Sequence, residues 1–272
     1  MGQNPTLFRQ LSALTRVQVT YNFYFRTEAL LWAVLDLIQF VVILFVIQAI
    51  YSTDHTINGV TLAYSLQYFL IILVIGVFTA THFEEWLGNL VKDGKIDMQL
   101  AKPMSPNMLY GWTGIIRKLA TAIIKLPLLI GFFVFIAYFF NVGFPKAETT
   151  QMVGLVVLLA GCLLVQTALS LILGWLTFWF ENASSLVHLK EILLALFSGT
   201  MLPPQLFPEW LQKVTYALPF KYFATVPAQV WLGTYTLTLY DALYFGMFAL
   251  VTFALLNLTY HRGIRRYASA GG

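Results

Sequence analysis

Charge is scarce in this chain. Asp, Glu, Lys and Arg make up 10% of its 272 residues, and 59% are hydrophobic. Soluble domains of this length carry about 25% charged residues, so most of these side chains must face lipid or one another. Six apolar spans of ~20 residues each fill roughly half the chain, and no soluble domain of ordinary size is left over. Cysteine is nearly absent too. Cys162 stands alone in an apolar run, which excludes an intrachain disulfide and reads as a small core residue. The first 25 residues are polar and Arg-bearing, without the apolar core and small-residue site of a cleavable signal peptide.

Catalytic sets are missing as well. The four histidines, at 55, 82, 188 and 261, lie near span ends, and no His/Cys/Asp/Glu group has metal-ligand spacing. His82-Phe83-Glu84 has no C-x-x-C to complete a zinc site, and no G-x-S-x-G occurs. Gly88 to Ile96 reads G-N-L-V-K-D-G-K-I. Its glycines are six apart rather than five, and Ile96 stands where a phosphate loop needs Ser or Thr. The chain by itself is therefore expected to bind no cofactor and hydrolyse no ATP. Its net charge of +4 is read as membrane topology, not as affinity for nucleic acid.

What is present is an all-α membrane protein in one domain, 1–272. The expected spans are 29–51, 62–82, 115–141, 152–179, a short fifth at 191–202 that stops at Pro203-Pro204, and 238–260. Ahead of them, Leu7, Leu11, Leu14 and Tyr21 recur at helical spacing in 5–22, which fits an elbow helix lying in the membrane interface. Orientation follows from Lys and Arg near span ends. Arg9, Arg16, Arg26, Lys92, Lys95, Lys102, Arg117, Lys118, Lys190, Arg262, Arg265 and Arg266 fall on one side, and Lys146, Lys213 and Lys221 on the other, 12 against 3. Both termini are therefore expected in the cytoplasm, in a cell inner (plasma) membrane.

Two connecting regions are unlike loops. In 83–106, Phe83, Trp86, Leu87 and Leu90 form one helical face, with Glu84, Glu85, Asn89 and Lys92 largely elsewhere. Gly94 offers a turn, and Ile96, Leu100 and Lys102-Pro103 mark a second short helix and its end. In 198–233 lie five of the ten prolines: Pro203, Pro204, Pro208, Pro219 and Pro227. Pro208 suits a first helical turn. Trp210, Leu211, Val214, Ala217 and Leu218 then make an apolar stripe, and a second short helix is expected over 220–232. Neither can span, so both are expected to dip into the outer leaflet with their broken backbone buried against protein. Trp210, Tyr216, Tyr222 and Trp231 suit interfacial depth.

Within the spans, ionisable groups are few. Asp36 has two candidate partners, Lys125 and a second subunit, while Lys125 has the alternative of snorkelling toward the cytoplasmic surface. Gln39, Gln67, Gln166 and Asn257 either line a substrate path or bond helices together.

Two stretches converge on one family. E-E-W-L from Glu84 and G-K-I-D-M-Q-L-A-K-P-M-S from Gly94 to Ser105 resemble the segment G-x-(I/L)-D-x-x-L-x-(K/R)-P-x-S of type-2 ABC exporter permeases. S-G-T-M-L-P-P-Q-L-F-P-E-W-L from Ser198 to Leu211, then Leu218-Pro219-Phe220, resembles their S-G-x-x-x-P-x-x-x-(F/L)-P-x-W-L…x-P-F stretch. The resemblance is closest to the branch whose ATPase is a separate chain. It implies two ATPase subunits carrying ATP and Mg, a second permease chain, identical or homologous, and surrounding membrane lipid. It assigns ATPase coupling, through a cytoplasmic coupling helix, to Glu84, Glu85, Gly94, Asp97, Leu100, Lys102 and Pro103. It assigns an external gate to Gly199, Pro203, Pro208, Trp210, Pro219 and Phe220. The function expected is export of a hydrophobic or amphipathic substrate by alternating access. An ion-coupled secondary carrier and a non-transporting scaffold are the alternatives.

Overall fold

The computed structural model describes residues 7–52, 56–100, 104–140, 148–180 and 184–267. Helix α1 (Leu7–Tyr24) is followed after Phe25 by α2 (Arg26–Ile50). α1 buries no residue fully and lies along α6 (Pro106–Phe139), where Trp112 Nε1 donates to Thr15 Oγ1 at 2.9 Å.

After α2 a two-stranded hairpin, β1 (Thr56–Ile57) and β2 (Val60–Thr61), reverses the chain. Its two-residue turn, Asn58-Gly59, has φ +49° and +77°, the mirror-image turn that matches strand twist. Thr61 then caps α3 (Leu62–Thr79), its hydroxyl accepting from the Tyr64 amide at 3.2 Å.

Two short helices, α4 (Glu84–Lys92) and α5 (Asp97–Leu100), precede α6. Pro106 opens α6 at its first turn, where no amide partner is needed. At 34 residues α6 is roughly 50 Å long, so it begins before the expected span at 115–141 does. α7 (Thr149–Trp175) continues as a 3₁₀ turn to Phe178. α11 (Leu239–Arg266) starts with a capping box of Thr238 and Asp241.

Five segments among the described residues are long and apolar enough to cross a membrane: Arg26–Ile50, Leu62–Lys92, Pro106–Phe139, Thr149–Phe178 and Leu239–Arg266. The fifth expected span differs. Its helix, α8, runs Ser184–Phe197, not 191–202. Fourteen residues reach only ~21 Å, less than the ~30 Å of hydrocarbon. The helix stops because Gly199 takes φ +83° and turns the backbone out of the helical path.

The proline-rich region forms α9 (Glu209–Ala217), a 3₁₀ turn at Pro219–Phe223, and α10 (Thr225–Trp231). The helix expected over 220–232 is thus broken at Ala224. In α9 Leu211 and Thr215 are the buried positions, and Trp210 is 67% exposed. The expected stripe is therefore only partly used. α10 is buried at Thr225, Val226, Pro227, Ala228, Gln229 and Val230, packed against α3 and α7. Its backbone is shielded by protein, as expected of a short helix that cannot span.

Candidate functional site

The junction of α3 and α4 is built on one buried carboxylate. Glu84 opens α4 without solvent exposure; its Oε2 accepts from the Phe83 amide at 2.8 Å. Its Oε1 pairs with Lys190 Nζ of α8. Lys190 also donates to the Thr81 carbonyl at 3.3 Å, and the Thr81 hydroxyl bonds Ser170 of α7 at 3.0 Å. Beside this lock, Glu191 faces His82 at 3.4 Å and His188 at 3.7 Å. Glu84 was expected off the packed face of α4. The buried set is instead Glu84, Leu87, Gly88 and Val91, because the ion pair draws the glutamate inward.

α4 seats on α7 without cushioning side chains. A Cβ on Gly88 would lie 2.7 Å from Thr177 Cγ2, and one on Gly174 would lie 2.6 Å from Leu87 Cδ2. Below them Ile96, Leu87 and Trp175 are fully buried in a cluster that includes Leu256. Trp175 Nε1 donates to Asn107 Oδ1 at 2.7 Å.

Gly94 makes the turn after α4 with φ +69°. Glu85, Trp86, Asn89, Lys92, Asp93, Lys95 and Met98 are left exposed, forming a mixed-charge surface in which Lys95 pairs with Asp93 at 2.7 Å. Of the residues assigned to coupling, Glu85 lies on this surface and Asp97 is half-buried at its edge. Leu100 ends α5. Lys102 and Pro103 lie outside the described residues.

At the opposite end, α8 gives way to a knot of backbone bonds. The Ser198 carbonyl accepts from Thr225 N at 3.0 Å and from Thr225 Oγ1 at 2.7 Å. The Gly199 carbonyl accepts from Tyr68 Oη of α3 at 2.9 Å. No side chain fits at Gly199: a Cβ there would sit 2.2 Å from Thr225 Oγ1. Pro203 is buried, Pro208 caps α9, Pro219 opens the 3₁₀ turn, and Phe220 packs edge-on against Phe248 at 6.1 Å.

Tyr222 is wholly buried, not interfacial, because its hydroxyl donates to Asp241 Oδ1 at 2.9 Å. Tyr235 donates to the same oxygen at 2.8 Å, and Thr238 supplies its amide at 3.0 Å and its hydroxyl at 2.6 Å to Oδ2. Burial, followed by that bond to Asp241, pushes the Tyr235 phenol up to about 12.

Between the two ends lies a cavity of about 740 Å³. Glu28, His82, Arg117, Lys118 and Glu191 line it toward α4; Phe40, Ile43, Phe69 and Ile72 line it toward the hairpin. Its polarity thus changes along its length. Asp36 and Lys125 both lie in its wall and pair at 2.7 Å. Of the two partners weighed for Asp36, the described residues show Lys125, whose ammonium turns to this carboxylate. Gln39 lines the cavity. Gln67, Gln166 and Asn257 do not: Gln166 is buried in α7 and Asn257 is exposed on α11.

Sequence reasoning missed the roles of Lys190 and Thr81, which carry no local motif; Ser170, one of the polar groups within spans that could bond helices together, does so through Thr81. It also missed Tyr68, Thr225 and Asp241. Of these, Asp241 had a legible signal, since Thr238-x-x-Asp241 before an apolar run is a capping pattern.

No curated protein matches the chain. A family model described as "ABC-2 family transporter protein" matches residues 37–271, from within α2 to beyond the end of α11. With five membrane-length helices, a multi-pass architecture and that match, the chain belongs to the ABC-2 transporter family.

Proposed function

We propose that the chain is the permease subunit of an ATP-driven exporter, working with two ATPase subunits and a second permease chain. The observation that carries the reading is the Glu84–Lys190 pair, which ties α4 to α8. α8 contributes Glu191 to the wall of the 740 Å³ cavity. A push delivered to the exposed face of α4 therefore has a direct mechanical route to the cavity.

In this reading the α4–α5 surface docks the ATPase on the cytoplasmic side, where both termini also lie. ATP and Mg sit on that partner. Glu84 and Gly94 shape the docking surface, and Glu85 and Asp97 contact the partner. The cavity switches from inner-leaflet to outward access, and the 198–238 region, with Gly199, Pro203, Pro208, Trp210, Pro219 and Phe220, closes its far end. The graded lining fits an amphipathic substrate, with its charged part toward Arg117 and Lys118.

The test is Glu85→Arg and Asp97→Arg in the complex. Charge complementarity at such contacts governs docking, so both variants are expected to insert normally yet lose ATPase co-purification and transport in liposomes. Normal docking and normal transport in both would remove the coupling assignment. Transport that persists without ATP under an ion gradient would favour a secondary carrier.

A further inference from the structure

The Asp36–Lys125 pair fixes how α2 and α6 lie against each other. Phe40, one turn beyond Asp36, packs edge-on against Phe132, two turns beyond Lys125, at 5.3 Å. The two helices therefore run in the same direction. Glu28 comes eight residues before Asp36, and Arg117 and Lys118 come eight and seven before Lys125. At 1.5 Å per residue all three stand roughly 12 Å along from the pair, level with one another and in the wall of the 740 Å³ cavity.

The two levels differ. At the first, acid and base meet at 2.7 Å. At the second, Glu28, Arg117 and Lys118 form no ion pair among the described residues. His82 and Glu191, also in the wall, face each other at 3.4 Å. Two cations and one carboxylate are thus left for a ligand. Trp32, one turn after Glu28, joins the same wall, and a carboxylate beside an indole face suits an ammonium group. Glu28, Trp32 and Arg117 are exposed and Lys118 is half-buried, so a ligand in the cavity reaches them.

We infer that the cavity takes a zwitterionic amphiphile, with an acid and an ammonium on one head. The acid pairs with Arg117 and Lys118, the ammonium takes Glu28 and the Trp32 ring, and the chain runs along Phe40 and Phe69 toward the hairpin. Glu28 is then the specificity residue, because it meets a purely acidic head with like charge. The inference rests on the reading of this cavity as the substrate site.

The test measures binding to the purified full-length protein in neutral detergent by native mass spectrometry. The probes are lysophosphatidylethanolamine, lysophosphatidylglycerol of the same chain length, which has the acid alone, and hexadecylamine, which has the ammonium alone. Lysophosphatidylethanolamine is expected to bind at least tenfold tighter than either. Glu28→Gln should weaken it about tenfold, the worth of one contact between charged groups, and leave lysophosphatidylglycerol bound as well as before or better. Trp32→Leu should act in the same direction. Arg117→Gln with Lys118→Gln should weaken both phospholipids.

The Tm of Glu28→Gln without lipid should match that of the unmodified protein, since Glu28 has no ion pair to lose; this separates lost binding from lost folding. Equal binding of lysophosphatidylglycerol or hexadecylamine, or no binding of any probe, would overturn the inference. So would an unchanged preference in both Glu28→Gln and Trp32→Leu. Binding here needs no ATPase, so ATP-driven transport of a purely acidic amphiphile would remove this inference and keep the exporter reading. Zwitterion binding with transport that needs no ATP would do the reverse.

Discussion

Glu84 and Lys190 lend themselves to a double-mutant cycle. The Glu84 side chain is 1% exposed and that of Lys190 9%, so removing either charge strands the other in the interior. Breaking a buried pair this way costs about 3–5 kcal/mol. Glu84→Gln keeps an oxygen for the Phe83 amide and should fall at the low end; Lys190→Met, which leaves a bare carboxylate, should fall at the high end. Each kcal/mol moves Tm by about 2–4 °C in a chain of this order of size, so losses of roughly 10 °C are expected. The double variant leaves no charge behind. Replacing a buried pair by neutral groups is often close to neutral in stability, so it should regain most of the loss.

The readout is thermal unfolding of the purified variants in detergent, followed by tryptophan fluorescence. The double variant then tests the mechanical role, because it folds while α4 is no longer held to α8 by charge. ATPase docking should survive, and transport per ATP hydrolysed should fall about tenfold. Single variants within about 2 °C of the parent would refute the energetic argument. So would a double variant that loses the sum of both singles. Full transport by the double variant would refute the mechanical one.

Gly199→Ala should lose about 3 kcal/mol or more, since it combines a positive φ with a 2.2 Å Cβ approach to Thr225; poor yield and a lowered Tm are the measures. In a Cys162→Ala background, an impermeant maleimide applied to intact cells should label Gln212→Cys but not Lys95→Cys. Labelling at 95 from outside would reverse the proposed orientation.

The long spans were legible because run length and hydropathy are local properties. Their ends were not always so. Ser184 to Lys190 looks too polar for a membrane helix, yet it is helical, and its Lys190 turns inward to Glu84. That contact joins positions 106 apart in sequence, and no spacing rule reaches so far. For the same reason the packed face of α4 is turned from the expected Phe83–Trp86–Leu87–Leu90 set. By contrast, the turn at Asn58-Gly59 and the helix stop at Gly199 obey local turn chemistry, although the expected fifth span ran past Gly199 to Pro203. The expected burial of the proline-rich segment against protein holds for α10, because a broken backbone cannot face lipid.

α10 has seven residues and is about 10 Å long, too short to enter a bilayer as an independent helix. It takes its place only where α3 and α7 already stand side by side, and Thr225 meets Tyr68 across 157 positions of sequence. The expected course of biogenesis is two-stage, insertion of the long helices first and docking of this segment second. The second stage also waits on the start of α11, which brings Asp241 to Tyr222 and Tyr235. A nascent chain halted just before Thr238 has its template but lacks that anchor, and the far end of the molecule is the last part to take shape.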